Sequence, residues 1–423
     1  MEFAQFILQH EGEDVARLAL SRGRFASEVD DFDLALHTLE ARPRLRTKLP
    51  EWYAVPSLHY PNRLCAEQCS SSETARYKAA VALAGTRERT KRGQNALAHV
   101  PEDTGIDKKG EKCHNASTCR VADLTGGLGV DSWAFAQVAG EVLYNEMRPE
   151  LAAAAAHNFK ELGIKNIRVR NLELKAGNLT EVLDGFGPEI IYLDPARRAA
   201  DGRKVFRLED CTPDVKTLLP ELLEASPLLL LKLSPMADID LLYKQLPHVK
   251  ELHVVAADKE CKELLLLLER DWEGPVSVTL YESGVTLKAP EAVPAVYAPS
   301  AEPGQWLFEP GKAILKAGAF TLPCRYGLQK LAPHTHLYTA REPEEALRPF
   351  GKWFLIKEVV PFDKRGFRDI GKRYPRAEVT ARDVPMHSDQ LRSRMGCQSG
   401  GRVHIFGVRT LDGPGLIVAE TEN

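Results

Sequence analysis

The chain has 423 residues, of which 44% are hydrophobic and 27% charged, and that length predicts two or three domains rather than one. No apolar run approaches the roughly 18–20 residues that span a bilayer, which excludes a membrane-spanning helix. With 56 basic and 59 acidic residues the net charge is −3, so no global attraction to nucleic acid is expected.

The N-terminal stretch MEFAQFILQHEGED has no basic segment followed by an apolar core, so no signal peptide and a cytoplasmic location are expected. Eight cysteines are too sparse for a disulfide scaffold and read as scattered reduced thiols. Cys65-x3-Cys69 and Cys113-His114-x4-Cys119 lack the regular paired spacing of a zinc site, and no metal is expected. Charge is unevenly placed: six Lys/Arg against one Asp/Glu from Arg76 to Gln94, and eleven against five from Pro361 to Arg409. Two basic segments are either solvated faces or the footprint of a polyanionic partner.

Residues 1–118 read as a helical region, with apolar residues at helical spacing in FAQFILQH and DVARLALSRG and an Ala-rich YKAAVALAG. Loops are expected at Pro56–Pro61 and, as a boundary, at Pro101–Ser117. From Val121 the rhythm changes. Strand VADL leads through a glycine loop to helix SWAFAQVAG, then strand EVLYNE and a long helix over PELAAAAAHNFKELG with Pro149 in its first turn. Strand IRVRN, a short helix, strand EIIYLD, a helix over 214–225, strand PLLLLKLSP, helix DIDLLYKQL and strand ELHVVAAD follow. A helix over KECKELLLLLER and a seventh strand, PVSVTLYE, complete a parallel-rich sheet covered on both faces. These elements predict a Rossmann-like α/β core over 119–288 and a Pro-rich linker over 289–328. A small α+β domain over 329–423 follows, with strands HLYTA, KWFLIKEVV, AEVTARDV and GRVHIFGVRT.

In a doubly wound sheet, ligands bind beyond the carboxyl ends of the strands. The first strand ends at Asp123, followed by Gly126, Gly127 and Gly129; this D-x-T-G-G-x-G pattern differs from a dinucleotide fingerprint. An acid facing a helix N-terminus repels pyrophosphate and suits a ligand with positive charge. Glu146 ends the second strand, where a carboxylate can accept from a vicinal diol. Asn178 follows the third strand, and Asp194-Pro195-Ala196-Arg197 the fourth, where a carboxylate and a proline carbonyl form a pair of acceptors for an amine.

DLTGGLGVDSWAFA, the acid of YNEMRPELAAAAAHNF, Gly177-Asn178 and YLDPARR together resemble class I S-adenosylmethionine-dependent methyltransferases. More narrowly, QCSSSETARYKA before the core, and ILKAGAF, LQKLAPHTHLYTA and VRTLDG after it, resemble bacterial methyltransferases with a C-terminal THUMP-like domain. The resemblance implies a cofactor site of Asp123, Thr125, Gly126, Gly127, Gly129 and Val130 around the methionine portion. It puts Glu146 on the ribose and Asn178 with Leu179 beside the adenine. Asp194 and Pro195 match the first half of an Asp-Pro-Pro-aromatic pattern that orients a base amine, but Ala196 and Arg197 stand in place of the second proline and the ring. Arg197, Arg198, Arg203 and Lys204 are candidates to grip phosphates. THUMP resemblance implies structured RNA as substrate, with Trp353, Phe354, Phe362, Phe367 and Tyr374 as either stacking or core residues. The expected function is methylation of a base nitrogen in RNA. The alternatives are an RNA-binding or assembly protein that keeps the fold without turnover, and a methyltransferase of protein or small molecules.

Overall fold

The computed structural model describes residues 2–97, 118–197, 208–290 and 293–422. The chain divides into two units, Met1–Leu252 with Leu264–Val276, and His253–Glu263 with Ser277–Asn423.

The first unit opens with helices α1 (Phe3–His10), α2 (Val15–Leu20), α3 (Arg22–Phe25), α4 (Phe32–Lys48), α5 (Pro50–Tyr53), α6 (Arg63–Gln68) and α7 (Ser72–Leu97). Side-chain caps set three of their starts: Asp14 accepts from Ala16 N–H, Asp31 from Leu34 N–H and Asn62 from Cys65 N–H, each at 2.9 Å. Phe6 and Ile7 of α1 are fully buried among Leu18, Phe32, Leu36 and Leu39. The helical pattern expected here is present; the expected boundary at 101–117 lies outside the described residues.

Alternation then begins with β1 (Arg120–Asp123), α8 (Val130–Ala136), β2 (Glu141–Asn145), α9 (Pro149–Glu161), β3 (Ile167–Arg170), α10 (Leu179–Leu183) and β4 (Ile190–Leu193). A short antiparallel pair, β5 (Ala196–Arg197) and β6 (Cys211–Thr212), precedes α11 (Val215–Ala225), β7 (Leu228–Leu233), α12 (Ile239–Gln245), β8 (Val249–Ala257) and β9 (Glu260–Glu269). These strands lie in one sheet in the order β3-β2-β1-β4-β7-β9-β8. The first five strands are parallel and β9 is antiparallel to β7, with Leu228 opposite Glu269. Leu228 to Leu231 and Leu264 to Leu268 are all at 0% exposure, the run of leucines demanded by a strand buried on both faces. Chain order reverses between β1 and β4, so the loops leaving those two strands flank a crevice.

One element departs from expectation. Glu260–Glu269, expected as a helix, is strand β9, paired antiparallel with β7. The cause is local: Asp258 and Lys259 have φ of 53° and 65°, the two left-handed residues of a tight hairpin turn. Five leucines in a row carry no period, so strand and helix were indistinguishable from spacing.

The second unit contains a hairpin of β10 (Ser277–Glu282) and β11 (Val285–Ala289), and a separate sheet. That sheet is built from β12 (Trp306–Pro310), β13 (Gln329–Lys330), β14 (Tyr338–Ala340), β15 (Gly351–Pro361), β16 (Glu378–Arg382), β17 (Val403–Thr410) and β18 (Gly413–Thr421). Helices α13 (Lys312–Lys316), α14 (Leu322–Arg325), α15 (Lys364–Arg373) and α16 (Ser388–Met395) accompany it. Strand order is β13-β14-β12-β15-β18-β17-β16. Successive residues point to opposite faces: Ile405, Leu416 and Val418 pack with Phe367, Ile370, Leu391 and Met395 of α15 and α16, while Phe406, Ile417 and Ala419 pack with Leu307, Leu331 and Leu337. Part of the segment expected as a linker is therefore structured, because Trp306–Pro310 pairs with both β14 and β15. Its prolines hid a strand in which Leu307 and Phe308 are fully buried.

Candidate active site

The loop after β1 is stapled to the end of β2 by three consecutive residues of that strand's exit. Gly126 N–H donates to Asn145 O at 2.8 Å, Tyr144 OH to Gly127 O at 2.6 Å, and Gly127 N–H to Glu146 Oε2 at 2.9 Å. A Cβ on Gly126 would lie 2.1 Å from the Tyr144 ring, and one on Gly129, at φ 89°, 2.6 Å from Phe159. Gly127 differs: its φ is 54° and nothing lies within 4 Å of an added Cβ, so its backbone faces open space.

That space is a cavity of about 520 Å³ at the crevice between β1 and β4. Thr125, Gly126, Gly127, Val130, Glu146 and Asp194 line it. Glu146 is buried, with Oε1 accepting from Arg148 N–H at 2.9 Å. Asp194 is held from two sides: its backbone N–H donates to Thr125 Oγ1 at 2.6 Å, and its Oδ2 pairs with the Lys232 ammonium of β7.

Other expected residues take different places. Asp123 is 1% exposed and does not line the cavity; its Oδ2 accepts from Ser132 Oγ at 2.6 Å and its Oδ1 from Thr125 N–H at 3.2 Å. Burial pushes its carboxyl up to about 8, so it shapes the loop rather than presenting charge to a ligand. Asn178 turns onto its own loop, accepting from Lys175 N–H and donating to Glu173 O, and Leu179 is buried. The cavity wall after β3 is instead Leu172, Glu173 and Leu174. Pro195 is buried while Ala196 lines the cavity. The side chain of Arg197, and Arg198, Arg203 and Lys204 altogether, lie outside the described residues.

Sequence reasoning missed a charged floor. Lys78 of α7 is at 0% exposure, 3.2 Å from Asp131 Oδ1, and donates to Ser70 Oγ at 2.8 Å. Ser70 Oγ and Tyr192 OH donate to Asp131 Oδ2 at 3.1 Å and 2.8 Å. Burial alone would raise the Asp131 carboxyl, but Lys78, Lys232 and these hydrogen bonds together hold it below the usual range. The signals were present: Lys78 sits on the buried face of α7 between Ala75 and Ala82, and Lys232 is the one charge in LLLLKL. The QCSSSETARYKA segment thus supplies Cys69 and Ser70 as cavity lining and Lys78 beneath it.

The two basic segments separate. In 76–94, Arg76 pairs with Glu51, Lys78 with Asp131, and Arg89 and Arg92 with Glu269, so four of the six cations are engaged internally. On α15, Arg365 and Arg368 are 85% and 67% exposed, and Lys364 and Lys372 are exposed as well. The nearby rings belong to the core: Trp353, Phe354 and Phe367 are buried, Phe362 packs edge-on against Phe367, and Tyr374 OH donates to Glu358. Among the described residues no three His, Cys, Asp or Glu side chains group to hold a metal, and no helix is long and apolar enough to cross a membrane.

Residues 306–347 match a ferredoxin-like domain family and 351–421 the THUMP domain-like family. The chain thus combines a methyltransferase-like fold with a C-terminal THUMP-like domain. Over its whole length it is similar to the crystal structure of a "putative methyltransferase" from Porphyromonas gingivalis W83. Identity is 29%, coverage 100% of this chain and 98% of that one, and the TM-score 0.77. Partial likenesses include a cofactor-bound protein from MTB, with 14% identity, coverage of 54% and 91%, and TM-score 0.33. Another is a T. thermophilus 16S rRNA methyltransferase in complex with AdoMet and guanosine, with 15% identity, coverage of 36% and 37%, and TM-score 0.27. No curated protein matches the sequence.

Proposed function

We propose that the protein is a cytoplasmic S-adenosylmethionine-dependent methyltransferase that modifies a base nitrogen of structured RNA. The observation that carries this reading is the cavity at the reversal of strand order, where Gly127, Glu146 and Asp194 face one space. The residues present fit the cofactor: Gly127 leaves room for close approach, and the Glu146 carboxylate, already oriented by Gly127 and Arg148 N–H groups, has lone pairs left for two ribose hydroxyls. Leu172 and Leu174 replace Asn178 and Leu179 as the side chains that would flank an adenine. When bound, the cofactor supplies a methyl group on a positively charged sulfur.

The chain's own contribution is placement. Asp194 accepts a hydrogen bond from the acceptor amine and aims its lone pair at the methyl carbon. Alignment of reacting atoms at about 3–3.5 Å supplies most of the rate in such a transfer. The THUMP-like domain and the exposed cations of α15 support RNA as the partner, since phosphate contacts dominate nucleic-acid affinity. Labelled methyl incorporation from S-adenosylmethionine into pools of RNA, DNA and protein tests the reading. Label in RNA is the expected result; label in protein alone, or in no pool, overturns it.

A further inference from the structure

Lys232 lies in a strand otherwise made of leucine, with 15% of its side chain exposed, and its ammonium meets Asp194 Oδ2 at the cavity. The two strands are neighbours, Leu193 opposite Leu231, so each residue stands one position beyond a paired leucine at the same end of the sheet. A strand position between Leu231 and Leu233, at 0% and 3% exposure, is a costly place for a cation unless it is paired. Asp194 is itself anchored through its backbone by Thr125 Oγ1. Among the described residues nothing donates to the second carboxylate oxygen, Oδ1, while Asp194 lines the cavity.

We propose that Lys232 is a positioning residue: it fixes the Asp194 carboxylate through Oδ2 so that Oδ1 accepts from the amine to be methylated. This rests on the methyltransferase reading above. It accounts for a motif that lacks its second proline and aromatic ring, because the acid is oriented from the neighbouring strand instead of by the residues that follow it. When the nitrogen–carbon bond forms and the carbon–sulfur bond breaks, the nitrogen carries one proton too many. Oδ1 accepts that proton and passes it to water in the cavity.

The test compares wild type with K232M, K232Q, K232R, D194N and D194N/K232M. Cofactor affinity is read by calorimetry with S-adenosylmethionine, and turnover by labelled methyl transfer to total RNA from cells lacking the gene. K232M and K232Q are expected to bind cofactor within about threefold of wild type while turnover falls about 100-fold, the penalty for misplacing a reacting group. K232R should recover most of the turnover, and D194N/K232M should be no slower than D194N. Wild-type turnover retained in K232M or K232Q overturns the proposal alone. So does a parallel loss of cofactor affinity and turnover, or a double mutant well below D194N. An inactive wild type that still binds cofactor overturns the methyltransferase reading and this proposal with it.

Discussion

Glu146 Oε2 accepts from the Gly127 N–H at 2.9 Å, so the acid that ends one strand holds the glycine loop that leaves its neighbour. The same carboxylate lines the cavity, and on the proposed function its removal should loosen the loop and delete the ribose acceptor together. E146A should weaken S-adenosylmethionine binding by about 10- to 100-fold, the range of one or two lost charge-assisted hydrogen bonds, as read by calorimetry. Affinity unchanged from wild type would remove Glu146 from the site.

The glycines of the loop are required for different reasons, and substitution separates them. G126A drives a methyl into the Tyr144 ring and should cost about 1–3 kcal/mol. G127A meets open space and should cost about 1–2 kcal/mol through its left-handed backbone alone. Denaturant unfolding of the double mutants tests the ring contact: Y144L, which removes the ring, should relieve G126A, and Y144F, which keeps it, should not.

Asp123 makes a pH prediction. Burial, the largest influence, holds its carboxyl at about 8, against the pull of the Ser132 hydrogen bond. A group whose folded value lies above its unfolded value of about 3.9 contributes stability that is full below the unfolded value and is lost as pH rises through the folded one. Wild type should therefore lose stability relative to D123N between about pH 4 and about pH 8. Parallel stability curves for the two proteins would contradict the assignment.

The buried pair beneath the cavity is the next test. K78M leaves the buried Asp131 without the cation 3.2 Å from its Oδ1 and should destabilise by about 3–5 kcal/mol. Adding D131N should recover part of that loss, because the uncompensated charge is then gone. Chemical denaturation of the two variants reads the outcome.

On α15, Arg365 and Arg368 are exposed and only loosely paired with Asp369, at 3.6 Å and 3.7 Å. Charge reversal of both should leave stability within about 0.5 kcal/mol. It should weaken RNA binding and reduce its salt dependence, measured by filter binding at two salt concentrations. A mutant that binds RNA as tightly as wild type, with the same salt slope, would place the RNA surface elsewhere.

Short apolar runs bounded by turns and separated by amphipathic helices made most of the sheet legible. β9 was not legible because Leu264–Leu268 has none, and only the Asp258-Lys259 turn decides its direction. The strand ends that line the cavity, at Glu146 and Asp194, were legible because an acid closes each strand. The direction of two other side chains was not legible: the Asp123 carboxyl turns inward to Ser132, and Asn178 bonds to its own loop. Ser70, Lys78, Asp131 and Lys232 come from separate elements, and their meeting is a tertiary fact that local spacing does not encode.

Mass spectrometry of RNA nucleosides from cells with and without the gene tests whether the protein methylates RNA. One base-methylated nucleoside should disappear with the gene. It should return with the wild-type copy and stay absent with D194A. Identical nucleoside profiles with and without the gene would contradict it.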